Sequence, residues 1–305
     1  MLPVREQQRR VRAYAHRGGA LHPDLVGMEN TMEAFRHAVE LGYTHLETDV
    51  HVTRDGVLLA FHDEALDRVT DVSGLIAEMT YAEVQAARIG GLHGVPTLAA
   101  LFEAFPEVTF NIDLKSDGSV GAVAELLAAT DHEDKVIVGS FSVRRLKAFR
   151  RLTEGRVRTS AHPREVLAYL LAPTTGIAKR LVGSRFDAFQ IPHHQRLRGP
   201  LSIRVASRGL VRRAHKAGKE VHVWTVDDPA EMERLLKRDV DGLMTDRTDV
   251  LKAFLEERGL WEAATTGARR GGELARPPQP SEGVTARSAE PSRAEPRENN
   301  EEPEK

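Results

Sequence analysis

Along residues 11–258, short apolar and β-branched runs alternate with longer stretches whose apolar residues recur at helical spacing. The runs predict eight strands, over 11–16, 44–50, 108–114, 135–139, 156–160, 188–192, 220–224 and 240–244, with a short extra strand at 57–61. The stretches between them predict helices over 31–41, 97–105, 120–130, 143–152, 164–171, 203–217, 229–237 and 247–257. Start and stop signals support several of these: Asp228 stands before Pro229, and Gly42 follows Leu41. Strand–helix units repeated over about 250 residues predict an α/β fold, the (β/α)8 TIM barrel. A doubly wound open sheet is the alternative, but no G-x-G-x-x-G turn follows a strand. Residues 51–96 break the alternation with a TRDG turn at 53–56 and a short helix around 81–88, so a small insertion is expected after strand 2.

The pattern ends near Ala264. Residues 265–305 hold six of the fifteen prolines, no aromatic residue, and only Leu274 and Val284 as bulky aliphatics. Such a segment buries too little apolar surface to offset its ordering entropy, so a disordered C-terminal tail is expected. The longest unbroken apolar run, Val166 to Ala172, is far below the roughly 20 residues of a spanning helix. The N-terminus lacks the apolar segment of a secretory signal, and a soluble cytoplasmic protein is expected, with no stable membrane insertion. The whole chain of 305 residues has 43 Lys plus Arg against 45 Asp plus Glu, which gives no global field for nucleic acid. The arginines between 196 and 213 fall mainly at helical spacing without interleaved aromatics, and read as a solvated face. Zero cysteines exclude a disulfide framework, a Cys-ligated zinc and a thiolate nucleophile.

Ionisable residues gather where strands end, which in a barrel is the face that carries the active site. Strand 1 ends in His16-Arg17-Gly18-Gly19, strand 2 in Glu47-Thr48-Asp49-Val50-His51, and the insertion strand in Phe61-His62-Asp63. Strand 3 ends in Asn111-Ile112-Asp113-Leu114-Lys115, strand 7 in Trp224-Thr225, and strand 8 in Thr245-Asp246. Residues two apart share a strand face, so Glu47, Asp49 and His51 point together, as do Asp113 and Lys115. Three carboxylates at one barrel mouth call for a cation, and oxygen donors suit one hard divalent ion, Mg²⁺ or Ca²⁺. A solvated face or a buried Asp–Lys bridge is the plainer reading of either pair alone. His16 and His62 suit acid–base work near neutral pH, and Arg17 offers a planar fork for phosphate oxygens. Gly18 and Gly19 would let backbone amides approach the same phosphate. Asn30 reads as a helix N-cap beside a candidate Glu29, His193 and His194 as pocket wall, and Trp224 as a stacking surface or packing.

The pieces AHRGG (15–19), EN-T (29–31), HLETDVHVTRDGVLLAFHD (45–63), NIDLKSD (111–117), VHVWTVDD (221–228) and DGLMTDR (241–247) together resemble the glycerophosphodiester phosphodiesterase family. The resemblance covers residues 11–258. It implies hydrolysis of glycerophosphodiesters to sn-glycerol 3-phosphate and an alcohol, with a small-molecule phosphodiester as the partner. It also implies that Glu47, Asp49 and Asp113 hold the divalent cation, that His16 and His62 are the acid–base pair, and that Arg17 and Lys115 contact phosphate. Asp113 departs from many members, which carry Glu there, and Asp239 stands where a Gly often precedes the valine. Water or the neighbouring glycerol hydroxyl would serve as nucleophile. The enzymatic alternative is a lysophospholipase D or another phosphodiester-lipid hydrolase, which needs an apolar track beside the site; no exposed hydrophobic loop stands out in the sequence. The non-catalytic alternative is a barrel that only binds phosphorylated ligands.

Overall fold

The computed structural model describes residues 11–182, 185–196 and 202–261. In chain order the elements are β1 (Arg12–His16), α1 (Met32–Glu40), β2 (His45–Val52), β3 (Leu58–Ala60), α2 (Tyr81–Val84), α3 (Leu98–Ala104), β4 (Thr109–Leu114), α4 (Ser119–Ala128), β5 (Val136–Gly139), α5 (Val143–Leu152), β6 (Arg158–Thr159), α6 (Pro163–Leu171), α7 (Thr175–Val182), β7 (Ala188–Pro192), β8 (His194–Arg196), β9 (Ser202–Arg204), α8 (Arg208–Lys216), β10 (Glu220–Trp224), α9 (Pro229–Leu236), β11 (Gly242–Thr245) and α10 (Thr248–Glu256). Eight strands run parallel in the order β6, β5, β4, β2, β1, β11, β10, β7. The two end strands nearly close the ring: Ser160 bridges Ala188, and the Ala161 N–H donates to the Ala188 carbonyl at 2.8 Å. This is the (β/α)8 barrel that the alternation predicts.

The strand period of two divides apolar from polar side chains. Leu46 and Val50, Phe110 and Ile112, and Val221 and Val223 are buried in the core beneath the surrounding helices. The alternate positions hold the polar residues. At the end where strands begin, Arg12 pairs with Glu220 at 2.9 Å and Arg158 with the same carboxylate at 3.1 Å. The Tyr14 ring packs against His45 and His222 there, with ring centroids 4.9 and 5.0 Å apart. His16, Glu47, Asp49 and Asp113 occupy the alternate positions at the opposite end. The polar interior is thus plugged below and open above.

The insertion after strand 2 is present. β2 turns through TRDG into β3, with Val52 opposite Leu58, and the segment packs its own small cluster around Leu59, Phe61, Leu66 and Ile76. One expectation needs correction. The helix expected over 203–217 begins only at Arg208, because the Ser207 hydroxyl caps it by accepting the Leu210 N–H at 3.2 Å. The residues before it form β9, which pairs with β8 in an antiparallel hairpin unforeseen from the sequence, and α7 was likewise not expected. The tail expected over 265–305 lies outside the described residues. No helix among the described residues is long and apolar enough to cross a membrane.

Candidate active site

The loop after β1 is a run of left-handed residues: Arg17 has φ 51°, Gly18 φ 85° and Gly19 φ 96°. A Cβ on Gly18 would stand 2.7 Å from the Ala34 Cβ, and one on Gly19 2.7 Å from Thr248 Cγ2. The glycines are therefore required for close approach to α1 and to the start of α10. Their amides do not face an anion as the sequence reading expects. The Gly18 N–H donates to the Ala15 carbonyl and the Gly19 N–H to the His16 carbonyl, at 3.4 and 2.8 Å.

The turn aims Arg17 across the mouth. Its Nε lies 3.1 Å from Asp49 Oδ2, and its Nη1 donates to Glu29 Oε1 at 3.2 Å. Lys115 Nζ bridges two carboxylates, 2.9 Å from Asp49 Oδ1 and 2.7 Å from Asp113 Oδ2. Burial and the neighbouring Asp49 charge push the Glu47 carboxyl upward, against His16, Arg17 and Lys115. Burial also raises Asp113, with Lys115 opposing. Asp49 stays low: its own burial is outweighed by Lys115 and Arg17. Acidic charge is thus concentrated where water is scarce, and Asp49 Oδ2 is a buried oxygen without a hydrogen-bond partner. The donor set of three carboxylates, one with an oxygen that accepts no hydrogen bond, fits a hard divalent cation in chemistry. The geometry is looser: among the described residues, the one His/Asp/Glu group whose ligand atoms all lie within 4.8 Å of one another is His22, Asp24 and His37, outside this site.

Each histidine is held by a carboxylate. His16 Nδ1 lies 2.7 Å from Asp246 Oδ1, and its Nε2 lies 3.7 Å from Glu47 Oε2. Burial opposes the imidazolium, but Glu47 and the Asp246 hydrogen bond outweigh it and lift the His16 pKa to about 9. His62 Nδ1 lies 2.5 Å from Asp63 Oδ1, and Arg68 in turn grips Asp63 and Glu29. An ionised carboxylate only accepts, so Nδ1 carries a proton in both contacts and Nε2 is left outside them. His51, on the same face as Glu47 and Asp49, points its Nε2 at the His62 carbonyl at 3.0 Å and braces that loop.

These groups line one cavity of about 470 Å³, together with Trp224. The eight residues expected in catalytic, phosphate-binding and metal-binding roles all line it: His16, His62, Arg17, Lys115, Trp224, Glu47, Asp49 and Asp113. Trp224 packs edge-on against Phe141, with ring centroids 5.7 Å apart. Three lesser expectations change. The N-cap of α1 is Thr31, whose hydroxyl accepts the Ala34 N–H, while Asn30 takes φ 57° and accepts from the Thr48 hydroxyl at 2.9 Å. His193 and His194 do not line the cavity, whereas Gln195 beside them does. The apolar wall missing from the sequence reading exists: Phe141, Leu167, Leu170, Ile203 and Val205 form one side of the cavity. It is not visible in any one segment because the loop before α5, α6 and the region of the β8–β9 hairpin supply it from distant parts of the chain. Asp239 has φ 70°, a backbone state that glycine adopts freely.

The chain matches the family model described as "Glycerophosphoryl diester phosphodiesterase family" over residues 16–250. It is 38% identical over 238 residues to "Probable glycerophosphodiester phosphodiesterase 2" of Mycobacterium tuberculosis, covering 77% of this chain and 88% of that protein. It is 30% identical over 288 residues to the lysophospholipase D GDPD1 of Rattus norvegicus, covering 84% and 90%. Among solved structures, a glycerophosphodiester phosphodiesterase from Agrobacterium tumefaciens superposes with a TM-score of 0.64 at 25% identity, over 80% of this chain and 99% of that one. With the barrel, the mouth and these likenesses together, the chain belongs to the glycerophosphoryl diester phosphodiesterase family.

Proposed function

We propose that the chain hydrolyses glycerophosphodiesters to sn-glycerol 3-phosphate and an alcohol at this barrel mouth. The observation that supports the reading is the pair of histidines, each with Nδ1 tied to a carboxylate, lining one cavity with the Asp49 carboxylate and the Arg17 and Lys115 cations. Arg17 and Lys115 bind the non-bridging phosphate oxygens and offset charge as it grows in the transition state. His62 Nε2, with its lone pair free, takes the proton of the attacking hydroxyl, from water or from the adjacent glycerol carbon. The bond from phosphorus to the alcohol oxygen breaks, and His16, held as imidazolium between Asp246 and Glu47, returns a proton to the leaving oxygen. When the glycerol hydroxyl is the nucleophile this leaves a cyclic glycerol phosphate, which water opens in a second step with the two histidines in exchanged roles to give sn-glycerol 3-phosphate. Glu47, Asp49 and Asp113 would hold one divalent cation, Mg²⁺ or Ca²⁺, which when bound supplies Lewis-acid stabilisation of the phosphoryl oxygens. Lys115 would then turn from Asp49 and Asp113 toward phosphate.

The test is release of glycerol 3-phosphate from glycerophosphocholine, glycerophosphoethanolamine and glycerophosphoglycerol. His16→Ala and His62→Ala each lower kcat by about 10²–10⁴-fold. Wild-type turnover in both variants would remove them from the reaction.

The apolar wall favours a second reading, in which the alcohol carries an acyl chain and the enzyme acts as a lysophospholipase D. Phe141, Leu167, Leu170 and Ile203 offer such a chain a dry path beside the phosphate groups. A higher kcat/KM for lysophosphatidylcholine than for glycerophosphocholine, reversed in Leu170→Asp, supports it; equal values would leave the first reading alone.

A further inference from the structure

The apolar wall does not stop at the cavity. From it the exposed faces of α6 and α7 continue outward, with Leu171 74% exposed, Leu181 68% and Ile177 44%. α6 packs against α7 and α8; on α6, Leu171 stands one turn after Leu167, which is 51% exposed and also lines the cavity, while Leu181 on α7 borders a separate hollow with Arg150, Glu154 and Asp187. Large aliphatic side chains left in water on adjoining helices cost solvation free energy and mark a surface that another apolar phase covers.

Charge identifies that phase. Between 166 and 219 the chain carries eleven Lys or Arg and a single acidic residue, Asp187, although the whole chain is nearly neutral. Asp187 is already engaged, since its carboxylate accepts the Thr159 N–H at 2.9 Å. The nearest upstream acid, Glu165, is buried and held by Arg150. Arg180 beside Leu181 is exposed, as are Arg204 beside Ile203, and Arg208 and Arg212 on α8. The field of Arg204 and Arg208 also reaches Arg238, where it adds to burial in disfavouring the charged form. Positive charges that crowd one another, interleaved with exposed leucines, fit a surface that is apolar within and anionic at its boundary.

We propose that the α6–α7 face and the adjoining basic rim dock on an anionic lipid bilayer, with the leucines entering the acyl boundary and the arginines resting among the headgroups. The cavity mouth then opens next to the membrane plane. This goes beyond the hydrolytic reading and stands without it, because binding is measured apart from turnover.

The experiment is sedimentation of the full chain with vesicles of pure phosphatidylcholine and of phosphatidylcholine with about a third phosphatidylglycerol. Binding is expected to be at least about tenfold stronger to the anionic vesicles and to weaken as salt is raised. The double substitution Leu171→Ser and Leu181→Ser, and separately Arg180→Glu, should each lower binding about tenfold while hydrolysis of glycerophosphocholine stays within about twofold. A retained circular dichroism spectrum shows that the variants fold. Equal binding to the two vesicle types, or binding unaffected by the leucine substitutions, overturns the proposal. So does tighter binding to a single-stranded RNA oligomer than to anionic vesicles, which would assign the rim to a polyanion instead.

Discussion

His16 Nδ1 lies 2.7 Å from Asp246 Oδ1, across 230 residues of chain. The contact exists because β1 and β11 are neighbours in the ring, with Ala15 opposite Thr245. The Asp246 carboxylate accepts the Nδ1 proton of His16 and leaves the Nε2 edge of the imidazolium toward Glu47, 3.7 Å away. Asp246 acts through His16 and is a positioning residue. Asp246→Asn removes the charge while preserving shape, and should lower kcat by about tenfold to a hundredfold with KM within about twofold. Its pH profile should shift as the His16 pKa falls from about 9. An unchanged profile would detach Asp246 from the reaction.

Chelation tests the carboxylates. With Glu47, Asp49 and Asp113 as ligands, thorough removal of divalent ions abolishes turnover, and Mg²⁺ or Ca²⁺ restores it. Asp113→Asn should raise the metal concentration for half-maximal activity by at least about tenfold. Isothermal calorimetry with Ca²⁺ reads the same loss without turnover. Full activity after chelation would leave Lys115 as the resident cation between Asp49 and Asp113.

Arg150 and Glu165 form a buried bidentate pair at 2.7 and 3.1 Å. Arg150 also donates to the Thr159 hydroxyl at 2.9 Å and the Ser160 carbonyl at 2.8 Å, beside the seam where β6 meets β7. Arg150→Met strands a buried carboxylate and should cost about 3–5 kcal/mol in urea unfolding. Adding Glu165→Leu should return part of that loss. It should not return all of it, because Glu165 also accepts the His162 N–H at the start of α6.

Acid should weaken the fold through a histidine buried at the base of the barrel. Burial, and then the Arg12 charge, pull the His45 pKa from 6.5 to about 3. The unfolded chain takes a proton near 6.5 that the folded chain refuses until about 3, so this stability is complete above 6.5 and is lost as pH falls from there. At pH 5 the loss through His45 is at most about 2 kcal/mol. Buried His222 adds in the same direction. Unfolding midpoints in urea at pH 7.5 and pH 5 measure the drop, and His45→Gln should reduce it. Because the raised Glu47 and His16 act in the opposite sense over this range, the deciding comparison is between wild type and variant: an identical pH dependence in both would contradict the buried neutral imidazole.

The sequence by itself determined the barrel and the members of the mouth. Apolar residues on one strand face, as in Leu46 and Val50 set against Glu47 and Asp49, suffice for this because strand geometry assigns alternate side chains to opposite faces. Helix starts were less legible: Ile203, Ala206 and Leu210 keep a helical period, but the Ser207 cap divides them between a hairpin and α8. Only the tertiary structure decided the pairings, since contacts such as His16 with Asp246 or Lys115 with Asp49 depend on which strands are neighbours. The roles of Gly18 and Gly19 were settled the same way, by the backbones that crowd them. The apolar wall was invisible for the same physical reason. Each contributing leucine or phenylalanine is unremarkable in its own segment, and only folding gathers them on one side of the cavity and leaves the α6–α7 face in water.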